Sequence, residues 1–167
     1  EQLRKHEPTS MGGQPPIIWH EGEGCHIRDP YGNQWLNFSA GVLVAATGYG
    51  HPRVKAAMEH QLETGLYHTY CFANEPRIEL VEKLSALAPA PLEKVFLLST
   101  GSEATECAMK LARTYAVRNG RPEKTRLVTF ENAFHGRTLG AQLAGGSPGL
   151  KSWIAGSHPE FVQVPFP

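Results

Sequence analysis

Val95-Phe-Leu-Leu-Ser-Thr-Gly-Ser-Glu-Ala-Thr-Glu-Cys-Ala-Met-Lys-Leu-Ala-Arg113 is the stretch whose reading decides the fold. Val95 to Leu98 form a short apolar run bounded by turn residues, which predicts a buried strand of a parallel sheet. Ser99, Thr100, Gly101 and Ser102 follow; all are small, and Gly101 adopts backbone angles that other residues resist. Ala104, Cys107, Ala108, Leu111, Ala112 and Tyr115 then recur at helical spacing and mark one face for burial. A strand that turns into a helix in this way points free backbone N–H groups outward, at the positive end of the helix dipole. That combination suits a phosphate or a carboxylate. Thr100 and Ser102 add hydroxyls. The plainer role for Ser102 is a helix cap, with Glu103 and Glu106 favoured by the dipole. The stretch lacks both the Gly-Lys-Ser/Thr ending of a P-loop and the three-glycine spacing of a dinucleotide site.

Downstream, Asn119-Gly120 offers a left-handed close to the helix. Arg126 to Phe130 predicts a second buried strand, so strand, helix and strand would form a βαβ unit with a parallel sheet. Glu131-Asn-Ala-Phe-His-Gly-Arg-Thr138 leaves the end of that strand. Ligands of α/β folds bind at such ends, so segments 99–102 and 131–138 are expected to meet. A short helix after Leu139, a flexible Gly145–Gly149 and a third strand over Phe161–Val164 complete this half.

Upstream, residues 1–16 read as irregular. Ile17 to Trp19 is a candidate strand. Gly24 to Arg28 and Gln34 to Phe38 read as hairpin arms around the turn Asp29-Pro-Tyr-Gly32. Gly41 to Gly50 is rich in small residues, which permits close backbone approach. His51 precedes Pro52, a favoured first helical residue, and reads as structural or capping rather than as a ligand. Helices are expected over 52–64 and, capped by Asn74, over 75–88. Pro89 and Pro91 end the latter. The aromatic run Tyr67-His-Thr-Tyr-Cys-Phe72 fits either a site mouth or a plug beneath a loop.

Composition excludes several classes. A hydrophobic fraction of 41% and a charged fraction of 19% suit a globular protein. Sixteen basic and sixteen acidic residues balance, so no basic stripe points to nucleic acid or to a membrane surface. No apolar run approaches the roughly 20 residues of a membrane span. Cys25, Cys71 and Cys107 are odd in number and widely spaced, which favours free thiols in a reducing, cytoplasmic setting over disulfides or a metal site. Cys107 falls on the buried helix face as packing.

Four segments carry a family resemblance. Ser99 to Arg113 resembles the phosphate-cup segment of class III aminotransferases, which use pyridoxal 5'-phosphate. Phe130-Glu-Asn-Ala-Phe-His-Gly-Arg-Thr-Leu-Gly140 resembles that family's aromatic-His-Gly-Arg-Thr motif. Gly41 to Pro52, ending Gly-Tyr-Gly-His-Pro, resembles the entry to the family's large domain. Asp29 to Phe38 is similar to its early hairpin. The motifs lie in the family's order and cover most of residues 20 to 145.

The resemblance implies an α/β protein of fold type I. Residues 1–48 would be the N-terminal segment of the small domain, and 49–167 the start of the mostly parallel large domain that binds the cofactor. It implies that Gly101 and Ser102 hold the cofactor phosphate, that Phe134 lies against the pyridine ring, that His135 packs beside it, and that Val42 sits near the substrate. Arg137 reads as a structural hydrogen-bonder or a partner of a substrate carboxylate. The implied activity moves an amino group from a donor to a 2-oxo acid such as 2-oxoglutarate. The donor would be a terminal amine such as 4-aminobutyrate or acetylornithine, and the enzyme a homodimer. Decarboxylases and aminomutases of the same fold, or a non-catalytic anion-binding module, are the alternatives.

The family's Schiff-base lysine and pyridine-binding Asp lie downstream of these motifs. None of Lys5, Lys55, Lys83, Lys94, Lys110, Lys124 and Lys151 has the lysine's context, so the chain reads as an N-terminal portion whose catalytic lysine lies beyond Pro167. Residues 1–167 alone are therefore expected to show no amino transfer. Turnover of an amino donor above the free-cofactor rate would refute this.

Overall fold

The computed structural model describes residues 2–8 and 15–167. Two compact units divide the chain, Glu1–Asn74 and Glu75–Pro167.

The first unit is built on an antiparallel sheet of β1 (Glu21–Glu23), β2 (His26–Arg28) and β3 (Gln34–Leu36), in that order. The register pairs Gly22 with Ile27 and Ile27 with Trp35. The expected hairpin is therefore present, with shorter arms. Its turn is organised by Asp29. The carboxylate accepts the amides of Tyr31 (3.0 Å) and Asn33 (2.8 Å) and the Asn33 side-chain amide (2.9 Å). An Asx side chain at the head of a turn commonly bonds backbone this way. Tyr49 closes the sheet. Its amide and carbonyl both bond Gly24, its hydroxyl accepts from Asn37 Nδ2 (2.7 Å), and its ring meets Trp19 edge-on. A Cβ on Gly22 would lie 2.8 Å from Tyr49 Cβ, so only glycine admits the ring there.

Two expectations fail in this unit. Ile17–Trp19 is not a strand; the ladder begins at His20, whose amide bonds Arg28, and Trp19 is used against Tyr49 instead. Residues 1–16 are not all irregular, because Gln2–His6 forms one helical turn, α1. Residues 9–14 lie outside the described residues. A four-residue turn, α2 (Ala40–Leu43), is left-handed, and α3 (Pro52–Glu63) starts with Pro52 in its first turn, as expected.

The second unit runs α4 (Glu75–Leu87), α5 (Gly101–Arg118), β4 (Leu127–Phe130), α6 (Leu139–Ala144), a 3-10 turn (Pro148–Lys151) and β5 (Phe161–Val164). β4 and β5 pair in parallel, Leu127 with Phe161 through Phe130 with Val164. The crossover between them contains α6. The βαβ unit is thus β4–α6–β5, and not the predicted pairing of 95–98 with 126–130. Val95–Leu98 has no ladder partner among the described residues, and Phe96, Leu97 and Leu98 are exposed. A strand exists only through its neighbour's hydrogen bonds, and β4's described neighbour is β5.

α5 closes as predicted. Gly120 is left-handed (φ 68°), the Arg121 amide bonds Ala116 O (2.9 Å) and the Gly120 amide bonds Val117 O (3.1 Å). This is a Schellman close. Its expected apolar face is less covered. Cys107 is buried, but Ala104, Ala108, Leu111, Ala112 and Tyr115 are exposed. An open groove of about 620 Å³ runs along α5, lined by Met109, Lys110, Arg113, Val117, Leu127 and Phe161. The buried apolar residues among those described are small or few: Ile27, Cys107, Ala116, Ala141 and Ala144. No helix among the described residues is long and apolar enough to cross a membrane.

Asp29 supplies a test of the hairpin turn. Burial raises its carboxyl pKa, but the bonds from Asn33, Tyr31 and Gly32 outweigh it and hold the pKa below the usual 3.8. A depressed pKa means the turn's electrostatic support is complete above the usual carboxylate range and is lost as pH falls through the lower folded value. Hydrogen exchange at the Tyr31 and Asn33 amides should therefore lose protection only in that acid window. Asp29→Ala should lack both the protection and the acid step. Protection that persists through the same window in the native protein would contradict this account.

Candidate functional site

The N-terminus of α5 is held by a capping box. Thr100, extended at φ −140° and ψ 161°, accepts the Glu103 amide on its hydroxyl (3.1 Å). Glu103 Oε2 reaches back to the amides of Thr100 (3.0 Å) and Ser99 (2.9 Å). The reciprocal bonds satisfy donors that a helix start otherwise leaves free. Thr100 is therefore the cap, and the capping role read for Ser102 is corrected. The amides of Gly101 and Ser102 keep no protein acceptor among the described residues. A Cβ built on Gly101 would meet nothing within 4 Å, so the approach to these amides is open.

Ser102 is freed for another task. Its Oγ accepts the Arg137 amide at 3.2 Å, across 35 residues of sequence. The two segments expected to meet, 99–102 and 131–138, do meet, and this bond is where they touch. Gly136 makes the approach possible. Its φ is 132°, it is buried, and a Cβ there would overlap Ser102 Oγ and stand 2.9 Å from Ser102 Cα. Both the backbone angle and the space exclude a side chain.

The rest of the loop is shaped by its neighbours. Asn132 is left-handed at φ 63°, an angle that Asn tolerates. The expected flexibility of Gly145–Gly149 is corrected at its start. Gly145 and Gly146 are buried, the Gly146 amide bonds Ala133 O (2.9 Å), and a Cβ on Gly146 would strike the backbone of Phe130 to Asn132. These glycines wedge the loop against the end of β4. Between the two wedges Phe134 stands 65% exposed, so it is no core residue of this unit. His135 is half-buried and its Nε2 is a buried nitrogen without a hydrogen-bond partner among the described residues. Buried polar atoms are nearly always bonded, and an orphan marks a place where a ligand or water belongs. The Arg137 side chain has no hydrogen-bond or ion-pair partner among the described residues; its structural bond runs through the backbone.

Sequence reading missed Glu106. It lies one turn after Ser102 on the same helix, and its Oε1 accepts from Thr138 Oγ1 (2.7 Å) and from the Ala141 amide (3.1 Å). The one-turn spacing of two polar side chains was the available signal. Lys110 is exposed, with its ammonium 5.7 Å from the Phe96 ring centre, a solvated position as expected.

In the first unit, Val42 is 80% exposed and left-handed at φ 64°. A β-branched residue at that angle is strained, and such strain gathers at functional sites. Gly41 beside it approaches Tyr49 so closely that a Cβ would sit 3.1 Å from the hydroxyl. His51 occupies the cap position of α3 but makes no capping bond, and its Nδ1 is buried without a partner among the described residues. Tyr67, Tyr70 and Phe72 are all exposed, so they plug no loop of this unit.

Comparison with known proteins extends this geometry. Residues 9–167 match the family model for aminotransferase class III. An acetylornithine/succinyldiaminopimelate aminotransferase of Yersinia pestis is 40% identical over 147 residues, 87% of this chain and 36% of the relative. An acetylornithine aminotransferase of Methanopyrus kandleri is 36% identical over 90% of this chain and 37% of the relative. The chain thus spans a little over a third of these relatives. Among solved structures, the omega transaminase from Pseudomonas jessenii in complex with PMP superposes with a TM-score of 0.84 at 33% identity, over 91% of this chain and 34% of that one. An (S)-enantioselective omega-transaminase from Thermomicrobium roseum gives 0.84 at 30%, over 99% and 36%. The α/β fold is that of these transaminases, as expected.

The Gly136 wedge generates a prediction. Gly136→Ala should destabilise the protein by about 1–3 kcal/mol in denaturant unfolding, the usual cost of forcing a side chain into a filled, strained position. The Arg137 amide should exchange faster in the same variant. Unchanged stability together with unchanged exchange would show that the loop does not lean on Ser102.

Proposed function

Because the chain belongs to the class III aminotransferases, we propose that it builds the phosphate end of a pyridoxal 5'-phosphate site. The observation that carries this is the Ser102–Arg137 bond, which brings an uncovered helix N-terminus against a loop bearing an exposed aromatic ring and an orphaned imidazole nitrogen. The residues fit the group. The Gly101 and Ser102 amides offer two donors to a phosphate at the positive end of α5. The Ser102 hydroxyl accepts from Arg137 and keeps its own proton to donate. Phe134, exposed on the loop, would lie against the ring face of the bound cofactor, orient it and exclude water. His135 would pack beside it, with its unpartnered Nε2 available to the ligand. When bound, the cofactor supplies an electron sink for cleavage at the amino carbon. Everything this chain does in that chemistry is binding and orientation. The Schiff-base lysine and the acid for the pyridine nitrogen are assigned to residues beyond Pro167.

The whole protein, on this reading, moves an amino group from a terminal amine to a 2-oxo acid, with 2-oxoglutarate the acceptor. The relatives' names support a donor of the acetylornithine kind before 4-aminobutyrate. Val42, strained and exposed, is the residue assigned to the substrate. Residues 1–48 belong to a small domain and 49–167 to the cofactor-binding large domain of a homodimer. Unpaired Cys25, Cys71 and Cys107 support a cytoplasmic setting.

The test uses the intact native polypeptide. It should bind pyridoxal 5'-phosphate, as read by cofactor absorbance after desalting, and transfer nitrogen from N-acetylornithine to 2-oxoglutarate faster than from 4-aminobutyrate. Ser102→Ala should weaken cofactor affinity about tenfold, the loss of one hydrogen bond to a charged group. A native protein that retains no cofactor would overturn the reading.

A further inference from the structure

We propose that Glu106 is a positioning residue that caps α6 from outside and thereby holds the Phe134–Arg137 loop at the N-terminus of α5. This rests on the reading of that loop as part of the cofactor site. Thr138 occupies the cap position of α6, extended at φ −74° and ψ 163°, yet its side chain makes no capping bond within its own helix. It donates to Glu106 Oε1 instead, at 2.7 Å. The amide a cap would normally satisfy, in the third position of the helix, is that of Ala141. That amide also goes to Glu106 Oε1, at 3.1 Å. One carboxylate on α5 thus does for α6 what a local cap does elsewhere, and it places negative charge at the positive end of that short helix.

Three further features show that the arrangement is built in. Gly140 sits against the carboxylate, where a Cβ would stand 2.9 Å from Oε1 and 3.0 Å from Cδ. Ala141 is fully buried, so its amide has no water to fall back on if Glu106 leaves. The far end of α6 is fixed independently: Thr129 Oγ1 donates to Ala144 O, and Gln163 Nε2 donates to Leu143 O (3.3 Å) and Ala144 O (3.4 Å). With its C-terminal end tied to β4 and β5, α6 has one free end, and Glu106 ties it. The loop 131–138 is strung between β4 and that tied end. Ser102 and Glu106, one turn apart, clasp it at Arg137 and at Thr138 to Ala141. Glu106 acts on the ligand only through this placement; it reaches Thr138 and Ala141 and not the open amides of Gly101 and Ser102.

The test uses the intact native polypeptide and two readouts. Amide hydrogen exchange without added cofactor reports the clasp itself. Pyridoxal 5'-phosphate dissociation, followed by absorbance, reports its consequence. Glu106→Ala should speed exchange at Ala141 at least tenfold and weaken cofactor affinity about tenfold, as expected when a buried donor loses its acceptor. Glu106→Gln keeps the amide oxygen as an acceptor for both donors and should restore both readouts to within about threefold, a loss at the low end of one typical hydrogen bond. Thr138→Val removes only one of the two bonds and should shift both readouts in the same direction by less, which keeps the test open should Glu106→Ala fail to fold. Ala141 protection that survives Glu106→Ala would overturn the capping geometry. Faster exchange with native cofactor affinity would make the residue merely structural and overturn the proposal. A native protein that binds no cofactor, with Ala141 exchange still dependent on Glu106, would instead overturn the reading of the site.

Discussion

The start of α5 imposes the constraint on which the site depends. A helix presents four unsatisfied amides at that end, and each must find an acceptor or stand open to a ligand. Here Thr100 and Glu103 settle the Glu103 amide and tie down the two residues before the helix. Because Thr100 caps, Ser102 is free to receive Arg137, and the amides of Gly101 and Ser102 are left to face outward. Had Ser102 been the cap, the helix would have started two residues later and the loop would have lost its anchor. A threonine at 100 and a glutamate at 103 therefore decide where the open amides point and what the loop after β4 rests on.

Within each unit the elements are held by hydrogen bonds and close backbone approach more than by a thick core. The accessible surface is 13765 Å². Two separately folded units of these sizes would expose about 9,800 Å² by the usual scaling with mass. The exposed surface includes apolar faces that no described residue covers, such as Phe96, Leu97 and Leu98 and the Leu111 and Tyr115 side of α5. Where the second unit is tight, it is tight because residues are small: Gly136 against Ser102, Gly140 against Glu106, Gly146 against the end of β4, and Ala141 and Ala144 as the buried residues of α6. A methyl group at Gly136 or Gly146 would meet backbone and move the loop, whereas one at Gly140 would displace the Glu106 carboxylate. Hydrophobic area sets how much a unit is stabilised, but here steric contact sets where the loop sits.

Local chemistry was the legible part of the sequence. Turn residues around Asp29, the Pro52 helix start, the Gly120 close and the periodicity of α5 all act within a few residues of themselves, so spacing reveals them. The meeting of Ser102 with the 131–138 loop was expected from loops that follow parallel strands, but only the 131–138 loop follows one here, and the contact rests on the Ser102–Arg137 bond and the room left by Gly136. Long-range partners were not. An apolar run such as Val95–Leu98 carries strand propensity but no information about which neighbour completes its ladder. Thr100 and Ser102 both carry capping side chains, but only Thr100 has a glutamate three residues on, so the capping-box spacing that picks it out was legible and went unread. Glu106 looked like one more acidic residue near a helix start, because the amide it serves lies 35 residues away.

Charge explains why placement matters so much in this chain. Basic and acidic residues cancel, so no broad field draws an anion from a distance. On the proposed reading, attraction at the site would come from oriented amides and the end of one helix, an effect that fades within about a turn. A lysine or arginine on a flexible stem follows an anion through a displacement of an ångström, since its charge moves with it. Backbone amides cannot follow. A ligand held as proposed would have to share one fixed frame with the Ser102 hydroxyl and the aromatic loop, and that frame would be α5 itself. Two side chains one turn apart on α5 reach the same loop, and the glycines opposite them leave room for nothing else. A site that binds by geometry in place of net charge depends on its supports as much as on the groups that touch the ligand.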